Sequence, residues 1–234
     1  MTRYNSDQLA SFPWIVSTDT LRSQDLLCSY WSAMEQLIQH KPEATFGSCS
    51  IKGIELLAAL NTSPTIARTL DGQFSQPCAE ITEAEQQRIE VALEDLTEAL
   101  QDLAPTGFCF GASEGDGACF GFWLSEDWAD ALEERGIDCD DPAGTAELIQ
   151  AFDDHGIGAD QLCDAYCGTA NGYSEQQAGA DYAQTLADDI GAIPAEMPWP
   201  ISHIDWAGAW RDLSFDGYSL IRETSSSWHV IRSV

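Results

Sequence analysis

The chain has 234 residues, 44% of them hydrophobic and 10% aromatic, and a formal net charge of -29 from 39 acidic side chains against 10 basic ones. So many aromatic and branched residues exclude a disordered acidic tail, and the length suffices for one large core or two small ones. The charge argues against binding nucleic acid or anionic membranes, because it repels phosphates at long range and attracts basic protein surfaces.

No apolar run approaches the roughly 20 residues needed to span a bilayer. The opening MTRYNSDQLASFPW lacks the charged and apolar regions of a secretion signal, so the expected location is cytoplasmic. Residues 18–39 place Leu21, Leu26, Leu27, Trp31, Met34 and Leu37 at helical spacing and predict a helix. In KPEATFGSCSIKGIELLAAL, Ile51, Ile54, Leu56 and Leu57 fit either a strand or a short helix. TSPTIARTLDGQFSQPC, punctuated by Pro64, Gly72 and Pro77, reads as an irregular connection. A helix is expected from Thr82, where Thr82 and Glu85 have the spacing of a capping box. Its inner stripe is Ile89, Leu93, Leu96, Leu100 and Leu103, and Pro105 ends it. Glu90, Glu94, Asp95, Glu98 and Asp102 form its outer face. GFCFGASEGDGACFGFW alternates aromatics around glycines and predicts a hairpin turning near Gly115, Asp116 and Gly117.

From Leu124 onward the pattern is one of short capped helices. Ser125 opens one that closes at Gly136, and Thr145 opens one with Leu148, Ile149 and Phe152 inward that closes at Gly156. Ser174 and Gln177 suggest another capping box, ahead of Tyr182, Leu186 and Ile190 and a stop at Gly191. Pro194, Pro198 and Pro200 form a stiff connection to a last helix that buries Ile204, Trp206, Trp210 and Leu213, followed by two strand-like runs. The expected fold class is α+β: small helix-rich acidic domains with short antiparallel sheets, elongated overall. Residues 1–123 would be an α+β domain of unassigned role, and 124–234 one or more acidic domains.

Catalytic and metal chemistry find little support. The eight cysteines contain no Cys-x-x-Cys. Cys163 and Cys167, four apart, would share a face if their segment is helical, and are read as buried thiols because no second close pair completes a zinc site. With no export signal, all eight are read as reduced. His155 falls at a helix end, where a cation is favoured. His203 and His229 have no nucleophile nearby, and no hydrolase, zincin, P-loop or dinucleotide motif occurs. The run 138–147 starts like a calcium loop, but Ala143 stands where glycine is required and Ile149 where glutamate is required. No enzyme activity, cofactor or metal is expected.

The distribution of charge carries more information than its total. Between 136 and 210 there are fourteen Asp or Glu residues and no Lys or Arg. Duplex DNA carries about one charge per 1.7 Å of axis, so 29 charges correspond to roughly 50 Å of duplex. Halophilic adaptation, which the presence of only two lysines fits, and colloidal protection would give a similar composition.

From about residue 144 to 234 the sequence carries LCDAYCGTANGYS, DYAQTLADDIGAIP, HIDWAGAWRDLSFDGYSLI and the closing WHVIRSV, in that order. With these segments it resembles the ArdA family of antirestriction proteins. The resemblance implies a DNA-mimicking inhibitor that occupies the basic DNA groove of type I restriction-modification enzymes and forms a homodimer, here through faces around Tyr182, Leu186 and Trp206. The carboxylates expected to meet the partner are Asp138, Asp140, Asp141, Glu147, Asp153, Asp154, Asp160, Asp164, Glu175, Asp181, Asp188, Asp189, Asp205, Asp212 and Asp216. The same chemistry would serve against a CRISPR effector, which holds nucleic acid in a basic channel. A non-catalytic acidic structural domain is the remaining alternative.

Overall fold

The computed structural model describes residues 3–40, 48–72, 81–193 and 204–233. They form an α+β fold of ten helices and two three-stranded antiparallel sheets. The chain divides into two compact units, Met1–Glu126 with Cys139–Glu147, and Asp127–Asp138 with Leu148–Val234.

Unit 1 contains α1 (Ser6–Ala10), β1 (Ile15–Ser17), α2 (Ser23–His40), α3 (Ser48–Asn61), α4 (Pro64–Leu70), α5 (Glu83–Asp102), β2 (Phe108–Ala112) and β3 (Phe120–Leu124), with sheet order β1-β3-β2. β2 and β3 are the expected hairpin, paired from Phe108↔Leu124 to Ala112↔Phe120. α5 begins with the full capping box: Thr82 Oγ1 accepts from the Glu85 N–H, and Glu85 Oε2 accepts from the Thr82 N–H. Its inner face packs on α2 and buries Ile89, Leu96 and Leu100. Edge-on aromatic contacts link Tyr4 to Phe12 (5.0 Å), Phe12 to Phe122 (4.9 Å) and Tyr30 to Phe110 (5.1 Å).

Two expectations for unit 1 change, and one left open is decided: the 51–57 run, strand or short helix from the sequence, is helical, within α3. The 62–78 segment is not wholly irregular: Pro64 opens α4 at its first position, where a missing N–H costs nothing, and Thr65, Ile66 and Thr69 are buried. Residues 73–78 of that segment lie outside the described residues. Leu21, expected on the buried stripe, precedes α2 and is 69% exposed.

Unit 2 contains most of α6 (Glu126–Glu134), the end of α7 (Pro142–Asp154), α8 (Ala159–Ala165), β4 (Tyr166–Asn171), α9 (Glu175–Asp189), α10 (Trp206–Phe215), β5 (Tyr218–Arg222) and β6 (Ser227–Arg232). β6 is the central strand of the order β4-β6-β5. Alternation along β6 serves two cores. Trp228 and Val230 join Ala170, Ala178, Tyr182, Ala183 and Trp210 against α9 and α10. His229 and Ile231 bury the opposite face together with Ile221. There the His229 ring lies 6.4 Å from Phe152, which stacks on Trp128 at 6.2 Å. α9 and α10 approach closely because residue 179 is glycine: a Cβ there would fall within the Trp210 indole.

The three glycine stops act as expected. Gly136, Gly156 and Gly191 have φ of 65°, 74° and 69°, and after each the next N–H reaches back five residues, Ile137 to Leu132, Ile157 to Phe152 and Ala192 to Ala187. The start of α7 differs. Thr145 is buried inside the helix, and Asp141 caps it by accepting from the N–H groups of Ala143 (3.2 Å) and Gly144 (3.1 Å). The run that starts like a calcium loop is therefore a capped helix start. Ser174 caps α9, but Gln177 Oε1 accepts from the Tyr173 N–H, so only half of the expected box forms. Ile190 (69% exposed) and Ile204 (37%) are outside the core. Cys163 and Cys167 share no helix, because α8 gives way to β4 at Tyr166, and both thiols are half-buried rather than buried. Pro194, Pro198, Pro200 and His203 lie outside the described residues.

Candidate acidic surface

The fifteen carboxylates selected from sequence all occur on helices, their caps or the connections between them. Fourteen are exposed and Asp153 is half-buried. Asp141, Asp205 and Asp181 are among those fixed by hydrogen bonds. Asp141 caps α7, Asp205 caps α10 by accepting from the Gly208 N–H (2.9 Å), and Asp181 Oδ2 accepts from the Asn171 N–H (2.9 Å). These bonds hold each carboxylate in one orientation while leaving it exposed, which lowers the entropy lost when a partner's cation docks.

Acid placement also runs against helix electrostatics. α5, α6, α7, α8, α9 and α10 have no base in their last turns. Those turns carry instead Asp102, Glu133 and Glu134, Asp153 and Asp154, Asp164, Asp188 and Asp189, and Asp212. A helix C-terminus has negative partial charge and favours cations by about 0.3–1 kcal/mol at low ionic strength. Five of the six helices forgo that gain, and at α8 it comes from outside the helix, through Arg135 on the Cys163 carbonyl.

Three of the four arginines of unit 2 have carbonyl or ring partners, and the fourth, Arg211, is exposed on α10. Arg135 donates to the Cys163 carbonyl, and Arg222 to the carbonyls of Thr224 (3.0 Å) and Ser225 (3.4 Å) while lying over Trp228. Arg232 lies over the Tyr218 ring at 5.3 Å. Carbonyls and aromatic faces, rather than carboxylates, receive these cations. In unit 1, by contrast, Arg68 pairs with Glu85 at 2.7 Å and Arg22 with Asp25 at 3.6 Å.

Sequence selection missed Asp127, Asp130, Glu133 and Glu134 on α6, all exposed, because Arg135 ended the base-free stretch just after them. The alternation of Glu90, Glu94, Glu98 and Asp102 every fourth residue was visible, and all four are exposed on α5. Tyr182, by contrast, is core, and Leu186 and Trp206 pack against that core, so these residues form the interior of unit 2.

Of the groups considered for catalysis, His155, Cys163 and Cys167 are among the described residues. His155 is exposed beyond the end of α7. The Cys163 thiol donates to Glu134 Oε2 at 3.0 Å; that hydrogen bond raises its pKa and keeps it protonated. Burial likewise pushes the Cys167 thiol up. No group of three or more His, Cys, Asp or Glu residues that could hold a metal occurs among the described residues. A groove of about 360 Å³ in unit 1 is lined by Pro13, Ile15, Val16, Cys28, Ser32 and Gln36, among others. Its thiol, Cys28, is raised by burial and donates to the Thr69 carbonyl.

No known protein family matches this chain, and no curated protein or solved structure matches it.

Proposed function

We propose that the protein is a cytoplasmic, non-catalytic inhibitor of a bacterial defence nuclease that acts by DNA mimicry, with a type I restriction-modification enzyme as the target. Carboxylates take the places of phosphates against the Arg and Lys side chains of the enzyme's DNA groove. The observation that carries this reading is the run of six helices, α5 to α10, ending in acid with no base in their own last turns, Arg135 reaching only the end of α8. Carboxylates there oppose the fold's own electrostatics and gain only if a cationic surface meets them. The likeness of residues 144–234 to the ArdA family adds the target class, and a homodimer belongs to the same proposal.

The reading is tested by competition. A type I restriction enzyme is held on a labelled duplex, and the protein is titrated in at about 50 and 200 mM salt. Displacement that weakens as salt rises is the expected result. No displacement at either salt overturns the type I assignment. The same titration against a CRISPR effector held on its target then decides between another basic channel and no mimicry at all.

A further inference from the structure

His229 lies on the central strand of the unit 2 sheet and is 3% exposed. Its Nδ1 is 3.2 Å from the Tyr166 hydroxyl on β4, and its Nε2 is buried with no hydrogen-bond partner. Across the sheet it pairs with Thr169 of β4 and Ile221 of β5, and Phe152 of α7 packs over the ring. The ionisable groups acting on this site are Tyr166 and Glu223, with Arg135 acting on Tyr166. Burial disfavours the imidazolium and is the dominant influence, while Glu223 opposes it weakly. The neutral ring satisfies one nitrogen through Tyr166 in either tautomer. The protonated ring has two N–H donors, a positive charge and a single partner.

We propose that His229 is a proton-operated latch. Uptake of one proton from solvent leaves a buried imidazolium with N–H donors on both nitrogens and an acceptor for only one, and the face where Tyr166 and Phe152 cover β6 opens to give Nε2 another. Phe152 belongs to α7 and stacks on Trp128 of α6, while Arg135, just beyond α6, holds the end of α8 through the Cys163 carbonyl. Opening therefore loosens the layer carrying Asp153, Asp154, Asp160 and Asp164. The consequence for binding rests on the inhibitor reading: affinity for the nuclease falls as the medium becomes mildly acidic.

The sign follows from the lowered pKa of the folded state. The unfolded chain takes up the proton near the ordinary histidine value of about 6.5, and the fold only at lower pH. Stability from this group is complete above pH 6.5 and declines as pH falls below it. The test is urea unfolding of the full chain between pH 7.5 and 5.5, for the wild type and for His229→Phe. Relative to the variant, the wild-type unfolding constant is expected to rise by up to tenfold per pH unit below about 6.5. Parallel curves overturn the latch. Where His229→Phe does not fold, the imidazole resonance of the wild type decides. Titration below 6.5 with loss of the Tyr166–His229 contact supports the latch, and titration at or above 6.5 with the contact intact overturns it. Neither measurement involves a nuclease, so failure here leaves the inhibitor reading standing, and failure of the competition assay leaves the latch standing.

Discussion

The sharpest separation of charge from fold comes from reversing Asp164, Asp188, Asp189 and Asp212 to lysine together. The four are exposed and stand in the last turns of α8, α9 and α10. The change raises the net charge by eight, from -29 to -21. For the fold, a cation replaces an anion at three helix ends, each worth about 0.3–1 kcal/mol at low salt, so stability rises by about 1–3 kcal/mol. For binding, each carboxylate that meets a basic side chain loses an attraction of about 1 kcal/mol and meets a repulsion of similar size. If two of the four make contact, the loss is about 4 kcal/mol, or roughly 1,000-fold in affinity. The assay is the duplex competition at about 50 mM salt, run beside a thermal melt of the same preparation. The expected outcome is displacement lost by two to three orders of magnitude with a melting temperature raised by several degrees. Displacement within threefold of wild type would falsify the placement of these helix ends against the partner. A lowered melting temperature would refute the dipole argument, and with it the inference that acid stands there at the expense of stability.

Other perturbations test the fold that presents the acids. Gly179→Ala places a methyl inside the buried Trp210 indole, and overpacking of about 1–3 kcal/mol exceeds the roughly 1 kcal/mol that alanine gains over glycine in a helix. Urea unfolding should show a net loss, and a gain would mean the helices separate freely. Asp205→Ala removes the α10 cap and should destabilise by about 1 kcal/mol, whereas Asp205→Asn keeps an acceptor and should nearly retain stability. Comparing the two in displacement and melting separates cap from charge; equal melting of the two variants argues against the cap. In alkali, burial holds the Tyr30 hydroxyl up to about 12 against an ordinary value of 10.0, so the unfolded chain releases that proton first. Stability should fall as pH rises above about 10, and absorbance at 295 nm should show Tyr30 ionising late. Ionisation of Tyr30 near 10 in the folded chain would contradict its packing against Phe110.

Signals confined to one turn were legible in the sequence, whereas those that depend on distant partners were not. The Thr82–Glu85 box and the stops at Gly136, Gly156 and Gly191 are local: one hydroxyl, one carboxylate or one positive φ decides them. Pro64 and Thr145 misled for a related reason. Proline was read as punctuation where it opens α4, and Thr145 was read as the cap of a helix that Asp141 caps one turn earlier. β4 follows α8 directly and carries little strand pattern in YCGTAN; it exists because β6, some sixty residues later, pairs with it. The Tyr166–His229 contact depends on that pairing, so sequence spacing could not reveal it. The acidic residues themselves were countable, but the direction of Arg135, Arg222 and Arg232 toward carbonyls and rings was not.

That direction bears on the rival explanation of the charge. Solubility of a small domain needs a net charge of magnitude about 2–8, and -29 far exceeds it. Adaptation to salt would account for the excess, but only the number of acids matters to it, and acids at mid-helix positions would serve without opposing the dipoles. Mimicry needs two conditions at once: carboxylates wherever a partner's cation can reach, helix ends included, and internal cations kept from neutralising them. Unit 2 goes far toward both: α8, α9 and α10 end in acid, Arg222 and Arg232 are directed to carbonyls and rings, and Arg135 to a carbonyl at the end of α8, which leaves Arg211, exposed beside Asp212, as the remaining cation. Salt separates the two explanations in one experiment. Screening relieves the self-repulsion of either protein and steadies its fold, but only a mimic loses its partner as salt rises.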